Sequence, residues 1–252
     1  MDFGNPMQKK ILIVDDHDDL ATVLHAKFTE LGHSVTVLDN RDAAVKLIET
    51  EKFNLFISDL DGLSDDDDRS PIKAFKLSVN DFDSADCTEE DLKRCLEITL
   101  DCKSDCVDKS AVADLHEKIE FEVPSLITLM HGILNYLMRR VEKTGLINPE
   151  TSNLFIALDE AFVNAVKHGN KFDAAKLVRI IADVSPDEAR FTIEDEGDGF
   201  NVAEIPDPLD PENLFKTSGR GVLFIYNIMD EVKYNDRGNR LTMVKRSDRN
   251  NS

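Results

Sequence analysis

Between residues 10 and 59 the chain alternates short apolar runs with segments of helical spacing, and that alternation leaves few folds open. Residues 10–14 form an apolar run that ends in Asp15-Asp16. An amphipathic segment follows, with Leu20, Val23, Leu24, Lys27, Phe28 and Leu31 near 3.6-residue spacing and Gly32 at its C-cap position. Residues 34–38 read as a second strand and 41–49 as a second helix with Ala44, Val45 and Ile48 apolar. Residues 54–58 read as a third strand, ending at Asp59. A β-α-β-α-β series with short loops predicts a parallel sheet joined by right-handed crossovers.

Beyond Asp59 the pattern breaks. Residues 61–70 are acidic, with aspartate at 65 to 68, and read as a solvated loop. Residues 72–79 suit one more strand. Residues 88–100 predict a helix, with Thr88 at the N-cap, Asp91 at the capping-box position, and Leu92, Cys95, Leu96 and Thr99 along one face. Residues 101–118 are polar and read as a connector that continues the helix. From Ile119 the order changes to a strand ended by Pro124, a helix over 126–142 and another over 149–167. Two hairpins follow, one turning at Ser185-Pro186-Asp187 and one at Asp236-Arg237-Gly238-Asn239, with a helix from Gly221 between them. The expected fold class is α/β: a parallel α/β unit over 1–100, a connector over 101–118, and an α/β sandwich over 119–247.

A formal net charge of −20 over 252 residues disfavours binding to nucleic acid or anionic membrane surfaces. Neither a membrane-length apolar stretch nor a signal sequence is evident, so a cytoplasmic protein is expected. Cys87, Cys95, Cys102 and Cys106 lack the paired spacing of zinc sites. Three of them share a helix face, which suits packing.

Three segments of the second unit carry chemistry. In Leu158-Asp159-Glu160-Ala161-Phe162-Val163-Asn164-Ala165-Val166-Lys167-His168-Gly169-Asn170, Glu160, Asn164 and His168 fall four apart on one helix face. An asparagine carbonyl is a suitable Mg2+ ligand, and a glutamate one turn earlier can deprotonate a nucleophile. In Ile193-Glu194-Asp195-Glu196-Gly197-Asp198-Gly199-Phe200, a strand delivers a carboxylate that can accept the exocyclic amine of adenine, and two glycines turn the chain tightly. In Thr217-Ser218-Gly219-Arg220-Gly221-Val222-Leu223-Phe224-Ile225, glycines open a helix whose free N–H groups can face phosphate beside an arginine. Each segment alone is equally a turn, a cap or a polar stripe; their order and placement together are specific.

These segments resemble the N box and the two glycine boxes of GHKL (histidine-kinase-type) ATPases. The strand-led short form is most similar to anti-sigma-factor serine kinases. The resemblance implies ATP and Mg2+ held by Asn164, adenine read by Asp195, and Glu160 as general base. It further implies that Gly197, Gly199, Gly219, Arg220 and Gly221 shape the pocket, that residues 205–218 form a lid, and that Thr242 touches the adenine side. A homodimer is implied as well. His131 and His168 read as packing, surface or supporting residues rather than as a phosphoacceptor and a catalyst.

In the first unit, parallel strands bring Asp15, Asp16 and Asp59 to the carboxyl edge, where open α/β sheets bind ligands. A divalent cation would relieve the repulsion among three carboxylates; the plain alternative is that strand-end aspartates cap helices. Residues 11–16 and 56–59 resemble two-component receiver domains. That resemblance implies Asp59 as phosphoacceptor, Asp15 and Asp16 as Mg2+ ligands, and an upstream histidine kinase as partner. The resemblance implies a truncated receiver-like unit in which Lys73 or Lys76 stands in for the receiver lysine; the alternative is a receiver-like docking domain without phosphorylation of Asp59. The resulting expectation is a serine/threonine protein kinase of anti-sigma type, regulated by its receiver-like unit, acting on a protein antagonist and sequestering a sigma factor. The alternatives are an ATP-dependent partner-binding module without catalysis and a histidine-kinase-type phosphotransferase.

Overall fold

Alternation along the first strand places successive side chains in two different cores. Ile11 and Ile13 join one, Leu12 and Val14 the other. In this computed structural model, which describes residues 8–17, 19–63, 71–80, 88–107, 116–201 and 220–247, that strand is β1 (Lys10–Asp15). It pairs in parallel with β2 (Ser34–Leu38) and β3 (Leu55–Leu63). Helix α1 (Asp19–Glu30) packs into the larger core through Leu20, Ala21, Leu24 and Phe28. Helix α2 (Arg41–Ile48), capped by Asn40 Oδ1 accepting from Ala43 N at 2.8 Å, covers the other face through Ala44. The parallel β-α-β-α-β expectation is met here.

Two expectations then give way. Strand β3 does not end at Asp59 but continues to Leu63, so residues 61–63 belong to a strand and not to a loop. Strand β4 (Pro71–Val79) pairs antiparallel with β3. The reason is chain length: a parallel return needs a crossover of a dozen or more residues, and only 64–70 separate the two strands. The long helix α3 (Glu89–Val107) supplies the next crossover, so β4 pairs in parallel with β5 (His116–Pro124). Its start is the predicted capping box. Thr88 Oγ1 accepts from Asp91 N at 3.1 Å, and Asp91 Oδ2 accepts from Thr88 N at 3.3 Å.

Helix α4 (Ile127–Thr144) closes on Gly145 in the left-handed region, φ 70°. Helix α5 (Leu154–Asn164) starts later than expected, after a turn in which Asn148 O accepts from Ser152 N. A π-helical turn, Ala165–Gly169, extends it. Strands β6 (Leu177–Val184) and β7 (Glu188–Asp195), helix α6 (Arg220–Ile228), and strands β8 (Glu231–Tyr234) and β9 (Arg240–Arg246) complete the described elements. The sheet is single and mixed, nine strands in the order β2-β1-β3-β4-β5-β6-β7-β9-β8.

Strands β4 and β5 therefore join the two units that the sequence divides, and one buried cluster runs from Ile11 to Met243. Of the expected connector, Asp101 to Val107 are the last turns of α3 and His116 to Lys118 the first residues of β5; residues 108–115 lie outside the described ones. Helices α1, α3, α4, α5 and α6 pack side by side in that order. On the opposite face of β4, β5 and β6, Lys76, Glu120, Glu122 and Arg179 form solvent-side ion pairs. Among the described residues no helix is long and apolar enough to cross a membrane.

Candidate functional site: a nucleotide cleft and an acidic strand edge

A cleft of about 700 Å³ opens between α5, the π-turn, α6 and the β7, β8 and β9 ends. Glu160, Asn164, Asp195, Gly199 and Gly221 all line it, so residues from three separate sequence segments meet in one place. His168 lines it too and is exposed, which favours a supporting role over packing. The π-turn follows Asn164 directly, and Asn170 N reaches back to Ala165 O at 2.8 Å. π-bulges concentrate at functional sites because the extra residue re-aims the side chains around it.

Asp195 stands at the end of β7 with its own Oδ1 accepting from Gly197 N at 2.8 Å. Burial raises its pKa above the ordinary aspartate value, against the Gly197 N–H and the Arg237 cation. Three glycines stand in close approach to other groups of the site, Gly197 against backbone and Gly169 and Gly221 against side chains. A Cβ on Gly169 would stand 2.2 Å from Asp195 Cγ. One on Gly197 would stand 2.3 Å from Gly169 O, and one on Gly221 2.2 Å from Glu160 Oε2. Gly199, at φ 78°, packs under the carbonyl of Arg237. That arginine also donates from Nη2 to Gly197 O at 2.8 Å, so the last hairpin braces the glycine turn.

Asn170 was quoted in the sequence segment but given no role, and it holds the site together. It is 1% exposed; Oδ1 accepts from Glu196 N at 2.8 Å, while Nδ2 donates to Ser125 Oγ at 2.6 Å and Leu177 O at 2.8 Å. Thr242 does not face the cleft. Leu241 and Ile193 do, and Thr242, one residue on, points to the other face, where it meets Thr192 Oγ1 at 3.2 Å. Gly219 and the expected lid over 205–218 lie outside the described residues, as does Cys87; Arg220 opens α6. His131 is exposed, edge-on to Phe155 with ring centroids 6.5 Å apart.

The acidic edge of the first unit is arranged differently from the expectation. Asp15 and Asp59 are direct partners on adjacent strands. Asp15 is 1% exposed and caps α1, Oδ1 accepting from His17 N at 3.0 Å and Oδ2 from Ala21 N at 2.8 Å. The donor atoms that come within 4.8 Å of one another belong to Asp15, Asp16 and His17. Both oxygens of Asp59 instead receive Lys103 Nζ, at 2.5 and 2.6 Å. The ion pair is thus made by Lys103 and not by the two expected lysines: Lys76 pairs with Glu120 and Glu122 on the solvent face, and Lys73 acts on Asp59 through its charge. Burial raises the Asp59 pKa, with Lys103 opposing it. Asp59 is thus held as the partner of an ammonium, and the close-set group of Asp15, Asp16 and His17 does not include it. Lys103 carried a readable signal, since it continues the 92–96–99 stripe of α3 by one more turn.

The family model described as a histidine kinase-like ATPase domain matches residues 123–245. An anti-sigma F factor from Clostridium perfringens is 34% identical over 104 residues, which cover 38% of this chain and 73% of that protein. The serine-protein kinase RsbW from Staphylococcus aureus is 28% identical over 135 residues, 50% of this chain and 85% of that protein. The matched region holds every residue of the cleft, and with its elements in the order this fold needs, the chain belongs to the histidine kinase-like ATPase family.

Proposed function

We propose that this chain binds ATP with Mg2+ in the cleft and acts as an anti-sigma-type regulator that phosphorylates a serine or threonine of a protein antagonist. The observation that carries the reading is the meeting of Glu160, Asn164, Asp195 and Gly221 around one cleft. The relatives named anti-sigma F factor and serine-protein kinase support the choice of partner class, with a sigma factor as the sequestered protein.

The residues fit the ligands in kind. Asp195 accepts from the adenine amine, and the glycine contacts at 169 and 197 leave the base a flat edge to approach. The Asn164 side-chain oxygen would hold Mg2+, which would neutralise phosphate charge when bound. The start of α6, at Gly221, presents backbone N–H groups to phosphate oxygens. Glu160 takes the proton of the substrate hydroxyl, whose oxygen forms a bond to the γ-phosphorus while the bond to the β–γ bridging oxygen breaks and ADP leaves. Glu160 stands against Gly221, so base and phosphate site are adjacent.

Regulation is assigned to Asp59. Its proposed role is a gate: a phosphoryl group on its carboxylate, delivered by an upstream phosphodonor, changes the ATPase region. Two experiments test the reading. Glu160→Ala is expected to abolish phosphotransfer while retaining ATP-dependent partner capture; retained transfer would refute the base assignment, and an inactive wild type with intact capture would favour a binding module. Asp59→Ala is expected to remove any response of the transfer rate to a phosphodonor, and an unresponsive wild type would remove the gate.

A further inference from the structure

A part-buried ion pair and a fully buried one lie near each other where the units of the sheet meet. One joins Lys103 on α3 to Asp59 on β3. The other joins Arg140 on α4 to Glu117 on β5, Nε to Oε2 at 2.6 Å, with side chains only 2% and 3% exposed. Register puts Asp59 opposite Phe75, and Phe75 opposite Ile119, two residues beyond Glu117. The Phe75 ring bridges the gap. Lys103 Nζ lies 5.6 Å from its centroid, and the Tyr136 ring, also on α4, lies 5.9 Å from it.

This polar layer is not saturated. Tyr136 Oη and Arg140 Nη2 are buried and find no hydrogen-bond partner among the described residues. Burial, with the Glu117 charge beside it, holds the Tyr136 hydroxyl well above its ordinary pKa, so it is a neutral hydroxyl with an unused proton. Buried polar groups are almost always paired, so two unused donors beside two ion pairs mark a layer with capacity for a second arrangement. The helices involved lead to the nucleotide: α3 packs on α4, and α4 on α5, which carries Glu160 and Asn164.

We infer that Lys103 is a positioning residue that couples the charge on Asp59 to the nucleotide cleft. A buried ammonium follows its counter-charge, because stripping one member from a buried pair is strongly unfavourable. When the Asp59 charge is removed or enlarged, Lys103 carries α3 against Phe75 and the α4 residues Tyr136 and Arg140. Helix α4 then alters the seat of α5. This rests on the reading that Asp59 gates the ATPase region.

The test is a double-mutant cycle on the full chain with the Kd for ATP and Mg2+ as readout, using wild type, D59N, K103M and the D59N/K103M double variant. D59N is expected to change the Kd by about fivefold or more, the usual lower range of coupling between sites. In the K103M background the same substitution is expected to leave the Kd unchanged, and K103R, which keeps the cation, is expected to restore the response. A D59N protein with the wild-type Kd overturns this inference, whereas the gate itself falls only if the wild type does not respond to a phosphodonor. A D59N effect that persists in K103M overturns the Lys103 inference alone. For a K103M protein that fails to fold, amide exchange compared between wild type and D59N decides: altered protection in α3 and α4 supports the coupling, and changes confined to β1 and β3 overturn it.

Discussion

Replacing Gly169 by alanine asks whether the Asp195 carboxylate is positioned as tightly as the geometry requires. The added Cβ would stand 2.2 Å from Cγ and 2.4 Å from each oxygen of Asp195, inside any real contact. Asp195 cannot swing freely, since its Oδ1 already accepts from Gly197 N. The carboxylate must move by about 1 Å, a misplacement that costs roughly a hundredfold where a group must be aligned. For ATP binding the loss is one charge-assisted hydrogen bond to the adenine amine, roughly 1.5–3 kcal/mol or a ten- to hundredfold rise in Kd. Calorimetric titration of the variant and the wild type with ATP and Mg2+ measures the difference. A folded Gly169→Ala protein with the wild-type Kd would refute the placement of adenine against Asp195.

Two further outcomes follow from the same geometry. Asp195 has a raised pKa in the fold, and its ionised form accepts from adenine; ATP affinity should therefore fall with decreasing pH, beginning above the ordinary aspartate range near ~3.9, and the D195N variant should lack that pH dependence. The contribution of this group to ligand-free stability has the opposite sign: it is present below the unfolded pKa and lost as pH rises through the raised folded value. Asn170→Ala removes bonds to Glu196 N, Ser125 Oγ and Leu177 O, and should lower stability by roughly 2–4 kcal/mol in denaturant unfolding, since buried partners are left unsatisfied.

Much of this molecule is legible in local sequence signals because local rules dominate there. The Thr88–Asp91 capping box, the Ser185 turn and the left-handed Gly32 after α1 each follow from residues a few positions apart. The cleft residues were legible because their chemistry stands out in three segments that the fold brings together. What depended on distant pairing was less accessible. The direction of β4 is decided by the length of the link before it, and the facing of Thr242 by strict alternation from Leu241; both rules were available in the sequence. The Lys103–Asp59 pair joins residues 44 apart and exists only because β4 and β5 continue the sheet beneath α3. Lys73 and Lys76 follow Asp59 closely in the chain, whereas the lysine that pairs with it comes from the inward stripe of α3, 44 residues away.

The central claim is that residues from three segments form one adenine nucleotide site. Titrating the purified chain with ATP in the presence of Mg2+, alongside N164A and D195N variants, tests it most directly. The account predicts saturable binding with one ATP per chain, weakened about tenfold or more in D195N and stripped of its Mg2+ dependence in N164A. Absence of binding to the folded wild type, or equal affinity in all three proteins, would contradict it.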